Sequence, residues 1–291
     1  MTNTNANGTG VNAPSPTSVS STSGDRRVEP TIAYPVHGEM VVDPDPDLRS
    51  RDLASASDLS PGDLHYRAYV GPPDRYDFMG ATQFALLFHL GLRDHHHVLD
   101  IGCGSLRLGR LLIPYLQPGR YCGIEPNQWL VEDGFARELG QDIRALKQPR
   151  FSDTTQFDCT VFGETFDFHI AQSIFTHTGE DLIRLYLDSA SRALSPDGLI
   201  LFTFVRAGEA NYVRPPDGWH YPGLTAFPTS RIAALASKYG LVGRVLPWFH
   251  PRTYWFAAAR TESALPRTED FIHLRGAVLR DPQFTDSTRS R

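Results

Sequence analysis

From Val98 to Tyr115 the chain runs through a short apolar segment, turns at Gly102 and Gly104, and continues with apolar residues at helical spacing. Two glycines at such a junction let the backbone approach a ligand where any Cβ would collide, which is the turn chemistry of a nucleotide-like cofactor site. Ser105 is placed to cap the helix that follows, and Leu108, Leu111, Leu112 and Tyr115 form its predicted buried stripe. The next apolar segment, Tyr121 to Ile124, ends in Glu125. A carboxylate about twenty residues beyond the glycine turn is where ribose hydroxyls are gripped. A pyrophosphate-binding fingerprint needs a glycine at the last position of Gly-x-Gly-x-x-Gly, and that position here is Arg107.

The elements that must hold these residues alternate along the chain. Apolar spacing predicts a helix from Phe78 to Leu92 ahead of the first strand. After it come helices over Trp129 to Leu139, Asp181 to Leu194 and Arg231 to Tyr239. A short strand with its loop spans Phe151 to Phe162, and Leu199 to Val205 is an apolar strand preceded by a Ser195-Pro-Asp-Gly198 turn. Strands alternating with helices imply a parallel sheet covered on both faces, with ligands at the carboxyl ends of the strands.

Residues 1–60 are rich in Thr, Asn, Ser, Pro, Gly and Asp and read as a disordered N-terminal arm. Residues 61–262 form the predicted domain, and 263–291 a C-terminal tail with one helix over Thr268 to Arg280. A formal charge of -5 with no basic block argues against a nucleic-acid partner. No membrane-length apolar run and no secretory leader pattern are present, so a cytoplasmic protein without a membrane partner is expected. Cys103, Cys122 and Cys159 form no Cys-x-x-Cys pair, which speaks against disulfides and structural zinc. His95, His96 and His97 enter a strand with alternating directions and cannot share one ion, so no metal is expected.

Over roughly residues 65–260 the chain resembles the class I S-adenosylmethionine (SAM) dependent methyltransferases. Asp100-Ile-Gly-Cys-Gly104 is similar to their glycine-rich first motif and Gly123-Ile-Glu125 to their acidic second. Phe166 to Ser173 resembles the fourth strand, and Leu194 to Phe202 the turn into the fifth. The resemblance implies a Rossmann-like, doubly wound α/β fold with a seven-stranded sheet. That sheet is mostly parallel and is closed by a C-terminal antiparallel hairpin, Leu241 to Pro247 with Thr253 to Arg260. It implies SAM as cofactor, with Asp100, Gly102, Cys103, Gly104 and Ser105 at its methionine end and Glu125 on its ribose. Asp153 matches the position that receives the adenine amino group, with Asp158 competing, and Gln172 is assigned to the same cofactor. Tyr76 either contacts SAM or anchors the preceding segment to the core. The sequence departs from the family at Leu106, where many members carry a third glycine, so the turn is expected to differ there. Arg107 either lines the site or salt-bridges on the helix surface, the surface reading being preferred.

Methyl transfer from a sulfonium is an in-line displacement that asks chiefly for positioning and exclusion of water, with a base where the acceptor must lose a proton. His177, just past the fourth strand, is the leading base, with bracing of its loop as the competing role. His220 is the reserve base, and Trp219 and Tyr221 are acceptor-binding candidates in an aromatic insert from Gly208 to Pro228. Gln172-Ser-Ile-Phe175 lacks the Asn/Asp-Pro-Pro-aromatic motif of the adenine and glutamine methyltransferases, and Gln172 to His177 holds no carboxylate for a metal-dependent catechol enzyme. The resulting expectation is methyl transfer to an oxygen or nitrogen of a small-molecule acceptor. The alternatives are another SAM-utilising group transfer, a non-catalytic SAM-binding partner subunit and, remotely, an NAD-dependent oxidoreductase. Neither the acceptor nor an oligomeric state is legible.

Overall fold

The computed structural model describes residues 39–210, 212–271 and 274. Strand β1 (Val98–Ile101) is buried at all four positions, as a strand covered on both faces must be. Strands β2 (Tyr121–Ile124), β3 (Arg150–Ser152), β4 (Phe166–Ala171) and β5 (Leu194–Arg206) join it in parallel, in the order β3-β2-β1-β4-β5. The two-residue β6 (Ala226–Phe227) pairs with the end of β5, off the main path. Strand β8 (Tyr254–Ala259) runs antiparallel to β5, and β7 (Val242–Leu246) antiparallel to β8 at the sheet edge. Seven strands in series with a closing antiparallel pair match the expected Rossmann-like α/β sheet.

Around it lie α1 (Pro46–Ser50), α2 (Tyr76–His89), α3 (Gly109–Tyr115), α4 (Gln128–Gly134), α5 (Gln141–Lys147), α6 (Glu180–Ala193) and α7 (Thr229–Ser237). Alternation along the strands sorts the core into two layers. Leu99, Ile101, Ile200 and Phe202 pack with Tyr186 of α6 and Ile232 of α7 on one face. Val98, Leu199 and Leu201 pack with Leu112 of α3 on the other. Burial on both faces is what makes the winding double. Because β2 and β4 flank β1 on opposite sides, the chain reverses direction across the sheet there and leaves a crevice at the carboxyl ends of the strands.

Three expectations need correction. Ser105 does not cap a helix: α3 begins at Gly109, with Leu108 at its N-cap and no capping side chain. The turn is longer because Leu106 takes φ 62°, extending the left-handed run of Gly102 (63°) and Gly104 (54°). Leu106 is nonetheless fully buried, and a Cβ added at Gly134 of α4 would lie 3.0 Å from its Cγ. The Ser195–Gly198 segment is not a separate turn but part of β5, where the register against β4 shifts between Phe166 and Phe168.

Residues 39–60, expected within a disordered arm, are also engaged. Val42 N donates to Asn127 Oδ1 (2.8 Å), Asn127 Nδ2 to the Met40 carbonyl (2.9 Å) and Trp129 Nε1 to the Val42 carbonyl (3.2 Å). Arg49 makes a forked contact with Asp133, through Nε (2.9 Å to Oδ2) and Nη2 (2.7 Å to Oδ1). This strap is held by polar groups, so apolar content does not reveal it. Residues 1–38 of the expected arm lie outside the described residues. So does most of the expected tail helix, of which Thr268–Asp270 forms a 3-10 turn. No helix among the described residues is long and apolar enough to cross a membrane.

Candidate active site

A cavity of about 760 Å³ opens at the carboxyl ends of β1, β2 and β4. Gly102 and Gly104 form its floor after β1, Glu125 and Asn127 its wall after β2, and Gln172 to His177, apart from Phe175, its wall after β4. Tyr69, Trp219 and Tyr221 enter from outside the sheet. The glycine turn is closely covered: a Cβ at Gly104 would stand 2.5 Å from Val70 Cγ1, and one at Gly102 would overlap Ile174.

Glu125 is the most constrained polar group of the wall. Its Oε2 accepts from Gly104 N (3.0 Å) and its Oε1 from Asn127 N (2.8 Å), which ties the carboxylate to the glycine turn. Each oxygen keeps a further lone pair for a ligand hydroxyl. Burial pushes this carboxyl up to about 7, against the two backbone donors that lower it. Gln172 Oε1 and Thr176 Oγ1, both on the wall, are buried with no hydrogen-bond partner among the described residues. Unsatisfied polar atoms around a cavity are what a polar ligand would complete.

Other predicted cofactor residues sit behind the wall. Asp100 is turned into the sheet, accepting from Tyr121 Oη (2.9 Å), and burial raises its carboxyl to about 7. Cys103 points toward Gly123, where an added Cβ would be 2.8 Å from its Sγ. Tyr76 is buried and gives its hydroxyl to the Ser105 carbonyl at 2.6 Å, so it anchors its segment to the glycine turn, and neither it nor Ser105 borders the cavity. Asp153 is exposed and borders a separate shallow depression with Gln128 and Arg150. Thr154 and Phe157 face the main cavity instead. Asp158 caps the turn that starts at Cys159, accepting from Thr160 N (2.9 Å) and Ser189 Oγ (3.1 Å).

His177 borders the cavity, and its Nδ1 lies 2.5 Å from the Gly223 carbonyl. A carbonyl only accepts, so Nδ1 carries the proton and Nε2 is left with its lone pair. Burial lowers this imidazole to about 4, which keeps it neutral at physiological pH. Its ring packs edge-on against Tyr221, with centroids 4.8 Å apart, and Tyr221 stacks on Trp219 at 6.1 Å. His220, between those two aromatics, points away: its Nε2 lies 2.9 Å from the Pro216 carbonyl, and it does not border the cavity.

Arg107 overturns the preferred surface reading. It lines the cavity, Nη1 donates to the Val70 carbonyl (2.5 Å), and no carboxylate lies within salt-bridge distance among the described residues. Tyr69, His250 and Arg252 also line the site and were missed. Nothing in their local sequence marks them, because they arrive from the segment ahead of α2 and from the loop between β7 and β8.

Residues 99–200 match a family model described as a methyltransferase domain. Among solved structures, the chain is similar to magnesium protoporphyrin IX methyltransferase from Synechocystis PCC 6803 with bound SAM, at 15% identity and a TM-score of 0.46, covering 64% of this chain and 82% of that one. It is similar also to a SAM-dependent methyltransferase from Clostridium acetobutylicum ATCC 824, at 13% identity and a TM-score of 0.48, covering 63% of this chain and 91% of that one. A third is the glycopeptide N-methyltransferase MtfA, at 14% identity and a TM-score of 0.47, covering 62% and 90% respectively.

Proposed function

We propose that this chain, which carries a methyltransferase domain over residues 99–200, transfers the methyl group of SAM to an oxygen or nitrogen of a small-molecule acceptor. The observation that carries the reading is Glu125, a buried carboxylate held by two backbone N–H groups at the rim of a cavity whose floor is Gly102 and Gly104. A ribose diol donates two hydrogen bonds, and Glu125 has two oxygens with lone pairs left to accept them. The orphaned Gln172 Oε1 and Thr176 Oγ1 fit a ligand with amino and hydroxyl donors. Thr154 and Phe157, in place of Asp153, are the residues after β3 that would border the base.

Bound SAM supplies an electrophilic methyl on a sulfonium. The chain's own contribution is positional. Tyr69, Trp219 and Tyr221 wall the cavity and exclude water, which shortens the search for a productive approach. His177 Nε2 takes the acceptor proton, its tautomer fixed by the Gly223 carbonyl. Asp100 and Tyr76 act from behind, holding the strand end and the glycine turn in place.

The test is incubation of the protein with methyl-labelled SAM and a metabolite extract, followed by mass spectrometry. Labelled product with stoichiometric S-adenosylhomocysteine (SAH) is expected. Consumption of SAM without SAH would point to another group transfer, and binding of SAM without turnover to a partner subunit.

A further inference from the structure

The cavity carries positive charge that the ribose of a cofactor does not use. Arg107 and Arg252 both line it, and neither guanidinium has a carboxylate within 4 Å among the described residues. Arg107 is tied by one bond to the Val70 carbonyl, and its Nε is buried without a partner. Arg252 is exposed at the cavity rim, and its side chain makes no hydrogen bond to protein among the described residues; only its backbone N reaches His250 Nδ1 (3.3 Å). His250 ties the two together in space: burial, then Arg107, then Arg252 push its imidazole down to about 3. The field of Arg252 also reaches His177.

The carboxylates of the same wall do not answer this charge. Glu125 is engaged by Gly104 and Asn127, and Asp74 lies beside Arg75. Asp100 is within electrostatic reach of Arg107 but is turned into the sheet on Tyr121. Burial consequently lowers Arg107 from its ordinary value. A desolvated guanidinium with unfilled donors is stabilised by an oxyanion that accepts from its fork. Trp219, Tyr221 and His177 place a flat aromatic wall in the same cavity.

We infer that the methyl acceptor carries an acidic group, a carboxylate or a phosphate, which Arg107 and Arg252 hold within reach of His177. The inference rests on the proposed function and names the acceptor's class. An anion beside His177 also favours its protonated form, raising the imidazole from its depressed value and making it a stronger base when the acceptor is present. The competing source of the same chemistry is the carboxylate of the amino-acid end of SAM, and the experiment separates the two.

Calorimetry on the full-length protein saturated with SAH would compare benzoate with benzamide and phenyl phosphate with phenol, rings suited to the aromatic wall. At least one anion is expected to bind tenfold or more tightly than its neutral counterpart. Arg252→Gln and Arg107→Gln should each remove that preference, while Arg252→Lys restores part of it. Retained SAH binding shows that a variant is folded. Equal binding of both members of each pair, or a preference unchanged by the substitutions, overturns the inference. It is overturned too if the substitutions weaken SAH alone, since the anion is then the cofactor's carboxylate. Failure of the unsubstituted protein to bind SAH overturns the proposed function itself, and this inference with it.

Discussion

Cofactor binding should release protons through Glu125, and the size of the effect follows from its surroundings. Burial holds this carboxyl at about 7, so near neutral pH the free protein is a mixture of protonated and charged forms. Ribose hydroxyls donate to the charged form and therefore select it. Binding must then strengthen as pH rises through the free-state value. For one group titrating at about 7, the charged fraction grows from about one-tenth at pH 6 to nine-tenths at pH 8, a gain of about tenfold in affinity, or ~1.4 kcal/mol. Asp100, raised to about 7 in part by Glu125 itself, shares the titration and broadens it. The free protein responds in the opposite sense. Carboxyls raised above their unfolded values contribute stability that is complete below those values and is lost as pH rises through the folded ones. Stability without ligand is thus expected to fall toward pH 8 while affinity rises. Calorimetry at pH 6, 7 and 8, in buffers of different ionisation enthalpy, reads both affinity and protons released, about half a proton at pH 7. Adenosine, which has the ribose but no amino-acid end, should show the same slope as SAH, and Glu125→Gln should abolish it. A flat profile for the unsubstituted protein, or an unchanged slope in Glu125→Gln, would refute the assignment of Glu125 to the ribose.

Two other outcomes are expected. His177→Asn, whose amide can keep the bond to the Gly223 carbonyl, should lower kcat by roughly 100-fold at nearly constant SAM affinity; steady-state kinetics with an identified acceptor check this, and loss of SAM binding would make the residue a brace. Removing the strap uncovers Asp133, whose side chain is 8% exposed with Arg49 in place. At about 1.5–3 kcal/mol for the lost hydrogen bonds to a charged group, a chain starting at residue 51 should melt about 3–12 °C below one starting at residue 39. Equal melting temperatures would show that the strap contributes nothing.

The glycine turn, the acidic end of β2 and the alternation of strands and helices were legible because each is a local pattern: the turn needs Gly102 and Gly104, and both strands are apolar runs that end abruptly. Three misplaced site residues share one cause. Cys103 lies between Gly102 and Gly104, Asp153 precedes Thr154, and His220 lies between Trp219 and Tyr221; in each case the neighbour borders the cavity and the predicted residue does not. An offset of one residue turns the side chain to another side of the backbone, in the left-handed turn around Cys103 as well as in extended chain, so a motif aligned to within a residue still leaves the direction of the side chain undecided. The cavity contributions of Arg107, His250 and Arg252 have another origin. They are set by how the segment ahead of α2 and the β7–β8 loop fold over the sheet, which no window of neighbouring residues encodes. The strap escaped because composition measures apolar content, whereas Arg49 and Asn127 hold it through directed polar bonds.

Leu106 bears on how freely this turn can change. A left-handed leucine is disfavoured by ~1–2 kcal/mol, yet burying its side chain returns about 1.5–3 kcal/mol. Its place is vacated by others: added Cβ atoms at Gly109 and Gly134 would meet Leu106 side-chain carbons at 3.0 Å. Gly109 and Gly134, on the two helices packed against the turn, leave room for its side chain. Glycine at 106 alone would relax the backbone but leave a void between α3 and α4, and enlarging 109 or 134 alone would collide with leucine and with Tyr121 Oη or the Ser105 carbonyl. Leu106 is therefore coupled to 109 and 134 by packing, yet a smaller residue at 106 would not by itself free them, because Tyr121 Oη (2.9 Å) and the Ser105 carbonyl oxygen (2.6 Å) also stand against an added Cβ there.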